Sequence, residues 1–398
     1  MSIYKFDADS RAKRATARPY MMKVLLVGDA SNYHNTLAKG LRALGHEVTL
    51  ASAGGGWMRT AREIDISRPV KGKLGGLALW LNFQTRLKRL FSGYDAVSIA
   101  TISFIELKPK RIRPVFDWLR KHNGAVFNTS LGTDPNYVRE CLDPQSPIRY
   151  SEFSLFGEPS PLVKAEPNLI SEWLSRDLSD LDMYIYNNVS GATSALWEYD
   201  VALHRVLPPG KIAYAGIPID TASIPVVGIP DNVRKVRLFL GRHRDRMLVK
   251  GTDVIEAAAR AVCERYPDRA ELVIVENRPY AEYVELLESA HIVLDQLYSY
   301  TPATNALLAM AQGHCTLSGG APEYYDFIGE REMRPVIHVE PDYQSVYSQL
   351  EQSVTHPADL RRRGLEGREF VVKHNDMKVV ARRTADFWQR RLREEGRG

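Results

Sequence analysis

Two α/β domains in series, each built on a doubly wound parallel sheet, are what this sequence predicts. Strand-like apolar runs alternate with helical periodicity from end to end, and the alternation starts afresh at Lys235. A Pro/Gly-rich stretch from Gly216 to Pro230 separates the two series. A chain of 398 residues is also too long for one ordinary core and long enough for two.

Residues 1–21 read as an N-terminal extension, because the first strand begins only at Met22. In a first domain over residues 22–216, strands are expected at Met22–Val27, Glu47–Ala51, Ala96–Ala100, Ala125–Asn128, Met183–Tyr186 and Lys211–Ala215. Helical patterns fill Asn35–Leu44, Leu74–Phe91, Pro109–Lys121 and Leu169–Arg176. Residues 217–233 form the interdomain linker. A second domain, 234–375, has strands at Lys235–Leu240, Ala270–Val275, His291–Leu294, Cys315–Leu317 and Pro335–Val339. Its helices are Thr252–Tyr266, Tyr280–Ser289, Pro302–Gln312, Asp342–Thr355 and Ala358–Lys373. A last helix, Asp376–Arg393 within 376–398, is placed to cross back onto the first domain.

Composition is that of a soluble globular chain, with 44% hydrophobic and 25% charged residues. The net charge of +5 is too small to call for nucleic acid and fits a protein that meets phosphates or an anionic membrane face. Cys141, Cys263 and Cys315 match no metal or redox spacing and read as reduced thiols in a cytoplasmic protein. No apolar run is long enough to cross a bilayer. Residues 71–94 are Leu-rich and basic, carry Trp80, Phe83 and Phe91, and contain no acid. Such a segment lies on an anionic bilayer at the inner face of the cell membrane, or serves as an ordinary half-buried crossover helix.

The densest functional signal runs from Asp295 to Gly313. A short strand ends in a polar, aromatic loop, Pro302 stands where a first helical turn can begin, and the helix start offers free backbone N–H groups to an anion. Upstream, Gly241, Arg242 and Lys250 follow the strand Lys235–Leu240. Ligands of open α/β sheets sit outside the carboxyl ends of strands, so two cations and a helix start aimed at one crevice suit a diphosphate. The bland reading makes Arg242 and Lys250 a solvated loop pair beside Arg244 and Arg246.

The segments Phe239-Leu-Gly-Arg242, Lys250-Gly251-Thr-Asp253, Leu308-Ala-Met-Ala-Gln-Gly313 and Gly319-Gly320-Ala-Pro-Glu323 resemble the donor domain of retaining GT-B glycosyltransferases. The likeness is to the family-four type of bacterial surface-polysaccharide transferases and is best over 235–375. It implies two Rossmann-like domains facing a cleft, and a nucleotide diphosphate sugar as co-substrate with no cofactor. It also implies contact of Arg242 and Lys250 with the donor diphosphate, and retention without a protein nucleophile. This chain departs from the family pattern at its glutamate pair, where Tyr300 and Leu308 stand. Leucine cannot accept a ribose hydroxyl, so ribose falls to backbone groups or to Thr304 and Asn305. Sugar hydroxyls fall to Tyr298, Ser299, Tyr300 or Glu323, unless Tyr298 and Tyr300 simply cap the sheet edge. The turn Glu276-Asn277-Arg278 stands where the family presents a base-recognising turn, and reads equally as a helix-start loop.

On the first domain, the loop carrying Gly28, Asn32 and His34 lacks the spaced glycines of a dinucleotide fingerprint, which argues against a dehydrogenase. It is expected to line the acceptor side, with His34 reading equally as a helix-start residue. Gly132, Thr133 and Asp134 resemble an acceptor-site turn of related transferases; Asp134 either orients or deprotonates an acceptor hydroxyl or caps a helix. No metal site is expected. Asp180-Leu-Asp182 precedes the strand expected at Met183, Asp7-Ala-Asp9 lies in the extension, and Arg242 and Lys250 already fill a cation's role. The sequence therefore reads as a glycosyltransferase acting on a glycan or lipid-linked acceptor. The rival readings are a nucleotide-sugar epimerase on the same plan, needing poised carboxylates of which Glu323 is the obvious one, and a degenerate nucleotide-sugar-binding scaffold.

Overall fold

A computed structural model describes residues 21–54, 61–276 and 280–397; the extension over 1–20, with Asp7 and Asp9, and Asn277 and Arg278 lie outside the described residues. Fourteen strands follow in order: β1 Lys23–Val27, β2 Glu47–Ser52, β3 Ile64–Asp65, β4 Ala96–Ala100, β5 Ala125–Ser130, β6 Ser154–Leu155, β7 Glu158–Pro159, β8 Gly191–Ser194, β9 Ile212–Tyr214, β10 Val236–Arg242, β11 Ala270–Glu276, β12 Ile292–Leu294, β13 Cys315–Ser318 and β14 Ile337–His338. Seven make one parallel sheet in the order β3-β2-β1-β4-β5-β8-β9, five make another in the order β11-β10-β12-β13-β14, and β6 and β7 pair as a hairpin. The GT-B fold class expected from sequence is therefore present. Inner strands such as β4 are buried at every position, which is why they read as continuous apolar runs.

Each sheet reverses its strand order once near its middle. In the first sheet β1 lies between β2 and β4; in the second β10 lies between β11 and β12. Helices leave opposite faces at these points, and a crevice opens beyond the strand ends. Gly28 after β1, Arg242 at the end of β10 and Asp295 after β12 are thus brought to switch points by topology alone.

The final helix, Met377–Glu394, does cross back. A Cβ on Gly40 would lie 2.3 Å from the carbonyl oxygen of Met377, so glycine lets the helices Tyr33–Ala43 and Met377–Glu394 touch. Trp388 stacks on Phe127 at 5.5 Å between ring centres, and Arg391 donates to the carbonyl oxygen of Ser190. Val227 and Gly228 of the linker both donate to the carbonyl oxygen of Gln312 at 2.9 Å, docking it on the second domain.

Three expectations need correction. Met183–Tyr186 is the end of a helix, Arg176–Tyr186, because Leu181 and Ile185 share one buried face at helical spacing. Asp180 and Asp182 therefore sit on that helix, and buried Asp182 lies 3.5 Å from Arg139. The strand there is β8, a run of small residues with no apolar signature; a side chain on Gly191 would come within 2.7 Å of Phe387. The helix after β12 is Thr304–Ala311, so Pro302 precedes it rather than opening it.

Candidate active site

At the second switch point Asp295 follows β12 directly and is buried. Its carboxylate accepts from Lys250 Nζ at 2.9 Å, from Asn305 Nδ2 at 3.4 Å and from Ser318 Oγ at 3.2 Å. Lys250 ends the short helix Met247–Lys250, and Gly251 follows it in the left-handed region with φ 67°. A Cβ on Gly251 would meet Leu297 at 2.8 Å and Tyr298 at 3.0 Å, so glycine brings Lys250 against the β12 loop. The ammonium remains partly exposed, and two of its three N–H donors stay available. Thr304 and Asn305 are half-exposed beside it at the helix start.

Gly241 and Arg242 end β10. The guanidinium donates to Glu276 from Nε at 2.9 Å and from Nη2 at 2.6 Å, and from Nη1 to Glu256 at 3.2 Å. Glu276 is bonded by Arg244 as well, and the two arginines hold its carboxyl below the usual carboxylate range. Glu276 is thus a counter-ion to the loop cations, and Arg242 and Lys250 are held by different carboxylates.

Ser299, Tyr300 and Thr301 of the β12 loop turn away from the crevice. Glu198, buried in the first domain at the start of the helix Trp197–Leu203, accepts from Ser299 Oγ at 2.8 Å, Tyr300 N at 3.2 Å and Thr301 Oγ1 at 2.7 Å. Burial pushes its carboxyl above the ordinary range, and these bonds work against that. Tyr300 stacks on Tyr150 at 4.2 Å and meets the tilted Trp197 ring at 4.7 Å, and its hydroxyl accepts from Arg149 N at 2.7 Å. Ser299 and Tyr300 were expected near the sugar; they lock the two domains together, since their polar atoms meet partners across the interface first. Tyr298 is buried too, its hydroxyl pushed up to about 12 by burial. Glu323 lies 3.6 Å from Arg149 in an exposed ion pair.

On the first domain, Gly28 has φ 81° and a Cβ there would meet the carbonyl oxygen of Phe104 at 2.7 Å. It borders a cavity of about 280 Å³ lined by Asp29, Ile66, Thr101, Phe104 and Glu106 among others. Asn32, with φ 64°, binds Asn35 at 2.8 Å within its own turn. His34 does not face this cavity. It is fully buried, with Nδ1 at 2.7 Å from the carbonyl oxygen of Gly28 and Nε2 at 3.3 Å from Ser98 Oγ. A carbonyl only accepts, so the proton is assigned to Nδ1 and Ser98 donates to Nε2. Thr129 lies 2.6 Å from Ser98 and Thr193 donates to Thr129 at 3.3 Å, completing a polar row across β4, β5 and β8. Burial pushes the imidazole down to about 4.

Asp134 takes the capping role. One oxygen accepts from Tyr137 N and the other from the Tyr186 hydroxyl, both at 2.7 Å, and the side chain is buried. Gly132 and Thr133 stay half-exposed, Gly132 beside Thr101. Thr101 is a β-branched residue at φ 63°, a strained backbone at the cavity wall with no signal in the sequence. Glu152, also missed, is half-buried, accepts from the Tyr137 hydroxyl at 3.2 Å and is pushed up to about 7 by burial. A larger cavity of about 810 Å³ lies at the amino ends of β10 and β12, lined by Val226–Pro230 of the linker, away from the converging cations.

No protein-family profile matches the chain, and no curated protein matches it by sequence. Solved structures match its fold. HepE from Anabaena, in complex with UDP and glucose, is 11% identical with a TM-score of 0.56, covering 93% of this chain and all 100% of that one. Sucrose-phosphate synthase from Thermosynechococcus elongatus is 15% identical with a TM-score of 0.61, over 93% and 99% of the two chains. A putative UDP-N-acetylglucosamine 2-epimerase from Listeria monocytogenes is 11% identical with a TM-score of 0.54, over 94% and 97%. At these identities the likeness shows a shared two-domain GT-B fold.

Proposed function

We propose that this chain is a cytoplasmic glycosyltransferase that moves a sugar from a nucleotide diphosphate sugar to a glycan or lipid-linked acceptor in polysaccharide biosynthesis, retaining and without a metal ion. One observation carries the reading: Lys250, fixed by buried Asp295, stands partly exposed at the second sheet's switch point beside the start of the helix Thr304–Ala311. Neighbours of the same fold solved with UDP or UDP-glucose support a nucleotide-sugar donor.

Breaking a sugar–phosphate bond leaves growing charge on the departing diphosphate. A fixed ammonium and free helix N–H groups favour that state over the ground state. Lys250 retains donors for a phosphate oxygen, whereas Arg242 already commits at least three of its five N–H groups to Glu276 and Glu256. Lys250 is therefore the principal diphosphate ligand and Arg242 contributes mainly through its field. Tyr300 and Leu308 supply no carboxylate to sugar or ribose, which leaves Thr304, Asn305 and the backbone.

Calorimetry with UDP and a panel of nucleotide sugars, alongside slow donor hydrolysis, tests this. Binding and nucleotide release that disappear in Lys250→Ala support the transferase. Binding without turnover, even with lipid-linked acceptors, favours the scaffold; interconversion of the free donor sugar favours the epimerase. No nucleotide binding at all defeats the donor-site assignment.

A further inference from the structure

The helical run Gly72–Asn82, continued through a π-helical turn Phe83–Leu87 and Lys88–Leu90, is apolar on two sides. One side is core: Leu79, Phe83 and Leu87 are buried. The other faces outward, with Leu74 74% exposed, Leu77 42%, Leu81 54%, and Val70 just ahead of the helix 54%. Spacings of three and four place these leucines in one row. A helix on a soluble surface ordinarily puts charge there.

Charge frames the row instead of interrupting it. Lys71 and Lys73 stand exposed at one end and Arg86 and Arg89 at the other, and no Asp or Glu occurs from Lys71 to Tyr94. The adjoining helix, Pro109–His122, adds further cations. Its Arg111 donates to the carbonyl oxygen of Gly76 at 3.3 Å and lies over the half-buried Trp80 ring. Its single carboxylate, Asp117, is taken up by the Tyr184 hydroxyl at 2.6 Å.

We propose that this ridge rests on an anionic bilayer, its leucines in the acyl boundary and its cations among the headgroup phosphates. Charge complementarity selects that occupant: a protein surface covering the leucines would also have to answer Lys71 and Lys73 at one end and Arg86 and Arg89 at the other. Among the described residues no helix is long and apolar enough to cross a membrane.

The ridge also adjoins the first domain's cavity. Arg68, against which Gly75 packs, donates to the carbonyl oxygen of Glu106 at 2.7 Å, and Glu106 and Ile66 line the cavity. An acceptor anchored in the same leaflet therefore meets the protein at the cavity rim. That last step rests on the transferase reading; the membrane contact does not.

Co-sedimentation of the full chain with phosphatidylcholine vesicles, with and without phosphatidylglycerol, is the test. Expected is salt-sensitive binding to the anionic vesicles, reduced at least about tenfold in Leu74→Ser/Leu77→Ser/Leu81→Ser and in Lys71→Glu/Lys73→Glu. The folding transition and UDP binding of both variants should match the parent, since these side chains are exposed and lie outside the donor site. Equal binding to neutral vesicles, no vesicle binding, or unaltered binding by the triple variant overturns the proposal. So does a parent dimer that the triple variant converts to monomer, which makes the ridge a contact between copies. Vesicle binding without UDP binding instead counts against the transferase reading and leaves the ridge standing.

Discussion

The carboxyl edges of the two sheets carry equally polar sequences and use them in opposite ways. Along the first, His34, Ser98, Thr129 and Thr193 bond one another, and Asp134 closes on Tyr186 and its own helix; all are buried. Along the second, Lys250, Thr304 and Asn305 stay partly open to the crevice, while Ser299, Tyr300 and Thr301 from the same loop are consumed by Glu198. A polar residue at a strand end offers itself to a ligand only where neighbouring elements leave its donors or acceptors over. The first edge is a support for a cavity whose walls combine Gly28, strained Thr101 and apolar side chains with Asp29, Ser103 and Glu106. The second edge is where charge is presented.

The sharpest way to break this contrast is at Glu198. Replacing it by alanine strands the Thr301 hydroxyl proton and the Tyr300 N–H in a buried interface and leaves Ser299 only the Thr301 carbonyl, with an expected loss of about 3–5 kcal/mol by denaturant unfolding. A loss below about 1 kcal/mol would mean that the β12 loop is not held by the first domain. Glu198→Gln, which keeps an accepting oxygen, should recover part of the loss.

Acid titration tests two first-domain groups of opposite sign next. His34 is lowered from its ordinary 6.5 to about 4, so between these values the unfolded chain binds the proton and the folded one does not. Stability therefore falls as pH drops through that window, by about 3 kcal/mol. Glu152 is raised from 4.5 to about 7, which has the opposite sign: its contribution is intact below 4.5 and is lost as pH rises to 7. Since Glu152 is only half-buried, roughly 2 kcal/mol is expected. The difference in unfolding free energy between Glu152→Gln and the parent should accordingly grow by that amount from pH 4.5 to 7. A flat difference would place Glu152 in water. Following the His34 ring by NMR should show no protonation at pH 6.

The donor edge is sharpened by two single substitutions. Lys250→Ala should weaken UDP binding at least about tenfold more than Arg242→Ala, roughly 1.4 kcal/mol, because Arg242 is already engaged by two carboxylates. Equal losses would show that a phosphate displaces Glu256 or Glu276 from the guanidinium. Lys250→Ala should also lower stability, since it leaves Asp295 buried with only neutral partners. At the small end, Arg149→Ala removes an exposed pair with Glu323 and should change stability by less than about 0.5 kcal/mol.

What the sequence determined by itself was the two-sheet architecture and the location of its loaded loops. Strand and helix periodicities and Pro/Gly punctuation are local, and every strand expected in the second half is present within a few residues, from β10 to β14. The same logic placed Arg242 and Lys250 at or beyond the end of β10 and Asp295 beyond β12. Only the tertiary structure decided which polar residues there stay exposed to the crevice. Glu198 meets Ser299 from a hundred residues away, and Ser98 meets His34 from sixty-four, separations that no local period encodes. Met-Tyr-Ile-Tyr at 183–186 is too short a run for periodicity to tell strand from helix, and the helix prevailed because Leu181 and Ile185 found one buried face. Tyr300 and Asp134 were settled in the same way. Each had chemistry suited to a ligand, and each found a protein partner within 3 Å that satisfied it first.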